Sequence, residues 1–105
     1  MQIQVNTDHN IEGREKLTAH VASVVESALS RFKDRITRVE VHLSDQNGDK
    51  SGLGDKRCMM EARLEGRQPT AVTHDAATLD QAVDGAADRI ERLIESTLGR
   101  LQDQG

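Results

Sequence analysis

The chain has 105 residues, with 14 Lys and Arg against 18 Asp and Glu, a net charge of −4, and Phe32 as its one aromatic side chain. One domain spanning 1–105 is expected, large enough to bury roughly two-thirds of its unfolded surface. No apolar run approaches the roughly 18 residues of a membrane span, and no charged-then-apolar leader follows Met1, so no membrane partner is expected. The acidic balance excludes a protein that is basic all over, and a lone cysteine, Cys58, excludes an internal disulfide and suits the reducing cytoplasm.

The charge is unevenly placed. Residues 1–30 carry two basic and four acidic groups, and residues 68–105 carry three and seven. Residues 31–67 carry nine against seven, so a site for a polyanion must arise by clustering in space.

Residues 2–6 alternate apolar and polar as a short strand. Asp8 or Asn10 offers a helix cap, and residues 12–33 follow as a helix with Leu17, Val21, Val24, Val25, Ala28 and Phe32 at helical steps. Asp34-Arg35 breaks that pattern. Ile36 leads into a strand over residues 39–43, where Val39, Val41 and Leu43 alternate with Glu40 and His42. Residues 45–56 are polar and glycine-rich, which predicts a loop or hairpin tip.

A third strand spans residues 57–65, with Cys58, Met60, Ala62 and Leu64 on one face. Gly66-Arg67-Gln68-Pro69 turns the chain into a fourth strand, residues 70–74, at a sheet edge because Pro69 cannot donate to a ladder. A long helix over residues 79–101 carries Leu79, Val83, Ala86, Ile90, Leu93, Ile94, Thr97 and Leu101 on one face. Thr78 or Asp75 caps it, Gly85 marks a close approach, and residues 102–105 form a frayed tail. This order predicts an α+β fold, βαβββα, with a four-stranded mixed sheet and two helices packed on one face. Leu79, Val83, Ile90 and Leu93 are expected to be buried against Val41, Met60 and Leu64.

Catalytic and metal signals are weak. Asp45, Asn47 and Asp49 have calcium-loop spacing, but Lys50 and Lys56 occupy positions where such a loop needs glycine and glutamate. Gly48, Gly52 and Gly54 lack the spacing of a phosphate-cradling loop and precede no helix. His42 and His74 both fall in strands, where they could share the exposed sheet face, yet two histidines without a third ligand make a poor metal site. Neither an enzyme nor a metal or other cofactor is expected. The basic residues fall around the end of the first helix (Arg31, Lys33, Arg35 and Arg38) and along the second (Arg89, Arg92 and Arg100). The last three can share one helix flank, unless Asp88, Glu95 and Glu26 pair with their neighbours.

Asp34-Arg35-Ile36 with the following strand, and Leu79-Asp80-Gln81-Ala82-Val83-Asp84-Gly85-Ala86-Ala87-Asp88-Arg89-Ile90, carry a resemblance. The chain resembles the ribosome hibernation promoting factor and protein Y family, also called sigma-54 modulation proteins, over nearly its whole length. The resemblance implies a cytoplasmic, non-enzymatic short form without the dimerisation domain of longer members. Members sit on the small ribosomal subunit, against 16S rRNA, in the channel used by messenger and transfer RNA, and silence translation under stress. Their helices present basic side chains to RNA phosphates.

Carried over, Arg89, Arg92 and Arg100 are RNA-binding residues. Lys33 and Arg35 complete that surface, with Lys56 and Arg57 as outlying contacts. Members usually end the second helix in a lysine run, where this chain reads Glu95-Ser96-Thr97-Leu98-Gly99-Arg100-Leu101-Gln102. Val25 and Ala28 likewise stand where lysines are common. The alternative is a diverged, non-ribosomal interaction module with the same fold and a protein partner. DNA is not an expected partner, and the sequence leaves the oligomeric state open.

Overall fold

The structure, a computed structural model, describes residues 1–8, 13–45 and 56–104. Its elements are β1 (Gln2–Thr7), α1 (Arg14–Leu29), β2 (Ile36–Asp45), β3 (Lys56–Leu64), β4 (Thr70–Ala76) and α2 (Leu79–Gln104), with a 3-10 turn at Ser30–Phe32. The sheet order is β1-β2-β3-β4, with β1 parallel to β2 and the other two pairs antiparallel. The expected βαβββα order and mixed sheet are therefore present, and β4 lies at an edge.

Strand alternation sorts the two sheet faces. Val39, Val41, Leu43, Cys58, Met60, Ala62 and Leu64 are buried beneath the helices and share one core with Val21, Val25 and Leu29 of α1 and with Val83, Ala86, Ile90 and Ile94 of α2. The opposite face carries Arg38, Glu40, His42, Arg57, Glu61 and Arg63. In β2 the register moves from Ile36↔Leu64 to Arg38↔Arg63, so Thr37 is an extra residue. That bulge puts both Ile36 and Val39, three apart, on the core side.

Several expectations need correction. α1 begins at Arg14 rather than at residue 12, behind Gly13, whose φ of 69° is one that residues with a Cβ rarely adopt. Asp8 does not cap it: its carboxylate accepts the Asp45 backbone N–H (3.2 Å), tying β1 to the end of β2. Asn10 lies outside the described residues, as do Asn47, Asp49 and Lys50 of the calcium-like loop and its glycines. β2 and β3 extend to Asp45 and Lys56, which pair in register, so only residues 46–55 separate the strands.

The cap of α2 is Thr78, whose hydroxyl accepts the Gln81 N–H at 3.1 Å. Asp75 is engaged elsewhere, on Arg57. α2 continues to Gln104, past the boundary expected at Leu101. Val83 and Ile90 are fully buried, as expected, but Leu79 and Leu93 are only half-buried. The buried stripe keeps Ala86 and Ile94 of the expected face and also takes in Ala82 and Ala87, because α2 packs against α1 as well as the sheet.

The two strand histidines lie on opposite faces. His42 pairs with Met59 on the open face, whereas His74 pairs with buried Cys58 and turns beneath α2. Its ring occupies the space where a Gly85 side chain would stand, only 2.1 Å from an ideal Cβ. The close approach at Gly85 is thus to a side chain of the edge strand.

Candidate nucleic-acid interface

The junction between α1 and β2 brings Lys33 and Arg35 to the end of the sheet where β3 turns into β4. The 3-10 turn closes with the Arg35 N–H donating to the Phe32 carbonyl (2.8 Å), and the Arg35 carbonyl accepts the Glu65 N–H (3.0 Å). Both cationic side chains are exposed, and neither has an ion-pair partner among the described residues. α2 runs back along β4, so its C-terminal part reaches the same end. There Arg100 and Arg67 both line a cleft of about 420 Å³, together with Leu64, Gly66, Gln68, Thr70 and Thr97. Arg67 and Arg100 are likewise exposed and without an ion-pair partner among the described residues. Four uncompensated cations therefore gather at one end, interrupted by Asp34 and Glu65.

The other expected basic residues are engaged within the chain. Arg57 forks onto Asp75 through Nε (2.8 Å) and Nη2 (3.2 Å) on the open sheet face. Hydrogen bonding to that carboxylate raises the Arg57 pKa, and hydrogen bonding to the guanidinium lowers that of Asp75. Lys56 pairs with Asp45 at 3.2 Å. Lys56 and Arg57 sit at the start of β3, about 24–27 Å from its Leu64 end at roughly 3.4 Å per residue. They belong to the opposite end of the molecule.

Arg89 donates through Nη1 to the Thr73 carbonyl (3.2 Å), covering the exposed edge of β4. Arg92 reaches Asp88 one turn away at 3.2 Å, and its side chain stays 76% exposed. Arg89, Arg92 and Arg100 do share one flank of α2, since eleven residues bring a helix round to within about 20° of its starting direction.

Glu91 and Glu95 do not pair with α2 cations. Both accept from Arg31 Nη2, at 3.5 and 3.1 Å, joining the helices. Hydrogen bonding to Glu95 chiefly raises the Arg31 pKa, and the guanidinium also lies 4.4 Å from the Phe32 ring centroid. Between α1 and α2 runs a groove of about 470 Å³ with His20, Ser23, Ser27, Asp84, Asp88 and Glu91 along its walls. Among the described residues its lining holds three carboxylates and no lysine or arginine. Val25 is fully buried and cannot meet a partner.

Among the described residues no group of three metal-ligating side chains occurs, and no helix is long and apolar enough to cross a membrane. Cys58 is enclosed in the core, where burial pushes its thiol up to about 12. Arg67 was not singled out by sequence reasoning. Its signal was its place in Gly66-Arg67-Gln68-Pro69, where Gly66 adopts φ 73° and turns the chain sharply.

The family model described as sigma 54 modulation protein / S30EA ribosomal protein matches residues 3–102. The chain belongs to this family. It is a family of modulation proteins and not of enzymes. The Thermus thermophilus protein Y N-terminal domain is similar at 26% identity and a TM-score of 0.66, over 92% of this chain and 99% of that one. A ribosomal subunit interface protein from Coxiella burnetii is similar at 14% identity and a TM-score of 0.68, over 94% and 99%, a likeness of fold alone. No curated protein sequence matches the chain significantly.

Proposed function

We propose that this protein is a cytoplasmic, ribosome-associated translation inhibitor of the hibernation type, acting as one domain over residues 1–105. It binds the small ribosomal subunit through 16S rRNA, near the channel for messenger and transfer RNA, and occupies space that translation needs. The observation that carries the reading is the family match over residues 3–102. The cationic end supports it physically: among the described residues, Lys33, Arg35, Arg67 and Arg100 have no carboxylate partner to displace before meeting a phosphate. Arg89 and Arg92 extend that surface along α2. Lys56 and Arg57 act as outlying contacts whose carboxylate partners weaken any contribution.

Binding of this kind is electrostatic and shape-based, with counterions released from the RNA as cations approach its phosphates. It requires no cofactor. Chemical probing of 16S rRNA with and without the protein tests the placement. Protection of channel nucleotides is expected; protection only at sites remote from the channel would exclude it.

One observation favours a second reading, an interaction module that has left the ribosome for a protein partner. The groove between α1 and α2 is lined by three carboxylates and, among the described residues, by no lysine or arginine, so it offers an RNA phosphate no cation of its own. Absence of any rRNA protection, together with retention of the fold, would favour that module.

A further inference from the structure

We propose that the cleft between the β3–β4 turn and α2 is a binding site for a backbone phosphate of single-stranded RNA, gripped by Arg67 and Arg100. The site deepens the ribosomal reading and rests on it.

Three features converge there. Arg67 and Arg100 both line one cleft, and none of the described side chains that line it is a carboxylate. Arg31, Arg38, Arg57 and Arg92, by contrast, each lie against a carboxylate of the chain itself. A guanidinium presents a planar fork of donors that matches phosphate geometry, so two unpaired forks facing one space suit a phosphate better than a single charge does.

The cleft is also built. Gly66 takes its positive φ, and the Arg67 N–H is fixed to the Leu64 carbonyl at 3.0 Å, so the backbone that projects Arg67 is set before any ligand arrives. Its volume of about 420 Å³ lies within the roughly 300–1,000 Å³ of small-ligand clefts. Gln68 and Thr70 supply donors and acceptors of the kind that read a base or a ribose hydroxyl. A concave space of this size accepts a nucleotide splayed from a single strand, the form of RNA whose unstacked bases proteins most often read.

The third feature is electrostatic. The cleft adjoins the C-terminal part of α2, where the helix dipole disfavours anions. Its attraction for phosphate therefore depends on the two arginines. That dependence makes the site testable by substitution.

The probe is a short, fluorescently labelled single-stranded RNA, titrated by anisotropy from about 50 to 200 mM salt, where counterion release is readily measured. Arg67→Ala with Arg100→Ala is expected to weaken binding about tenfold or more, since each removes hydrogen bonds to a charged group. The slope of log K against log salt should fall by about 0.7, the contribution of one phosphate contact on a single strand. Arg67→Lys with Arg100→Lys should restore most of the slope, as charge is kept. Lys16→Ala, at the far end of α1, should change neither quantity.

An unchanged affinity and slope in the double alanine variant would overturn the site, as would failure of the wild type to bind the RNA. Binding of a free mononucleotide as tightly as the oligonucleotide would replace RNA by a soluble nucleotide as the ligand and overturn the assignment. Parallel co-sedimentation with small subunits separates the two levels. A wild type that binds the RNA but not subunits overturns the ribosomal reading. Subunit binding that the double alanine variant leaves intact overturns the cleft alone.

Discussion

Replacing Gly85 by alanine tests how α2 lies on the sheet. The added methyl would stand 2.1 Å from His74 Cδ2, 2.3 Å from Nε2 and 2.6 Å from Cγ. Ordinary carbon contacts are about 3.5–4.0 Å, so the ring or the helix must shift by roughly 1.5 Å. Two effects compete. Alanine stabilises a helix interior over glycine by about 0.5–1 kcal/mol, while overpacking a filled site destabilises by about 1–3 kcal/mol. The clash should win, lowering stability by about 1–2 kcal/mol, or about 4–8 °C in Tm for each kcal/mol in a domain near this size. Once His74→Ala has removed the ring, the same substitution should stabilise by about 0.5–1 kcal/mol. Urea unfolding of the four proteins, followed by circular dichroism, gives a coupling energy of about 2 kcal/mol if this packing is right. Equal destabilisation by Gly85→Ala in both backgrounds would refute it.

Ile90→Ala, at a fully buried position, should cost about 2–5 kcal/mol in the same unfolding assay; a loss under 1 kcal/mol would contradict the helix register. Cys58 should resist thiol reagents at neutral pH until the protein unfolds. Its thiol keeps its proton up to about 12 when folded, against 9.0 when free, so the folded state binds more protons in that window. Stability should therefore fall as pH rises from about 9 toward about 12, by up to roughly 1.4 kcal/mol per unit, and Cys58→Ala should remove that component. Asp75, whose pKa is lowered chiefly by its hydrogen bond from Arg57, stabilises the fold above its ordinary carboxylate range, an effect lost as pH falls through the lowered value. Arg57→Ala should return its carboxyl titration, followed by NMR, toward about 3.9, the ordinary aspartate value.

Most of the fold was legible because strand alternation and helical spacing are local properties. Val39-Val41-Leu43 and Cys58-Met60-Ala62-Leu64 each declare a buried face, and Val83-Ala86-Ile90 declares the seam of α2. The helix starts were less legible. Thr78 caps α2 in the expected way, but α1 starts behind a left-handed glycine, with no side-chain cap to signal it. The bulge at Thr37 and the seat of His74 under Gly85 depend on a neighbouring strand and on a helix that follows later in the chain. No single stretch of sequence contains them.

The candidate site was legible in its residue types and only partly in its geometry. Lys33, Arg35 and Arg100 were recognisable as exposed cations, but charge balance along the chain did not reveal which cations have partners. Arg31 finds Glu91 and Glu95 on the other helix, 60 and 64 residues away. That pairing removes two carboxylates from the surroundings of Arg92 and one cation from the surface. Arg67 joins the site through the antiparallel course of α2 over β4, which brings Arg100 beside a turn 33 positions earlier in the chain.

Co-sedimentation with purified small ribosomal subunits across a salt series tests the ribosomal reading most directly. Three phosphate contacts, one each at Lys33 and Arg35 and one shared by Arg67 and Arg100, at about 0.7–0.9 of salt slope apiece, correspond to a loss of about 20- to 40-fold in affinity between 50 and 200 mM salt. Binding at the low end that weakens by about this factor is the expected result. No co-sedimentation at low salt, or binding that salt leaves unchanged, would contradict attachment to RNA through the cationic end.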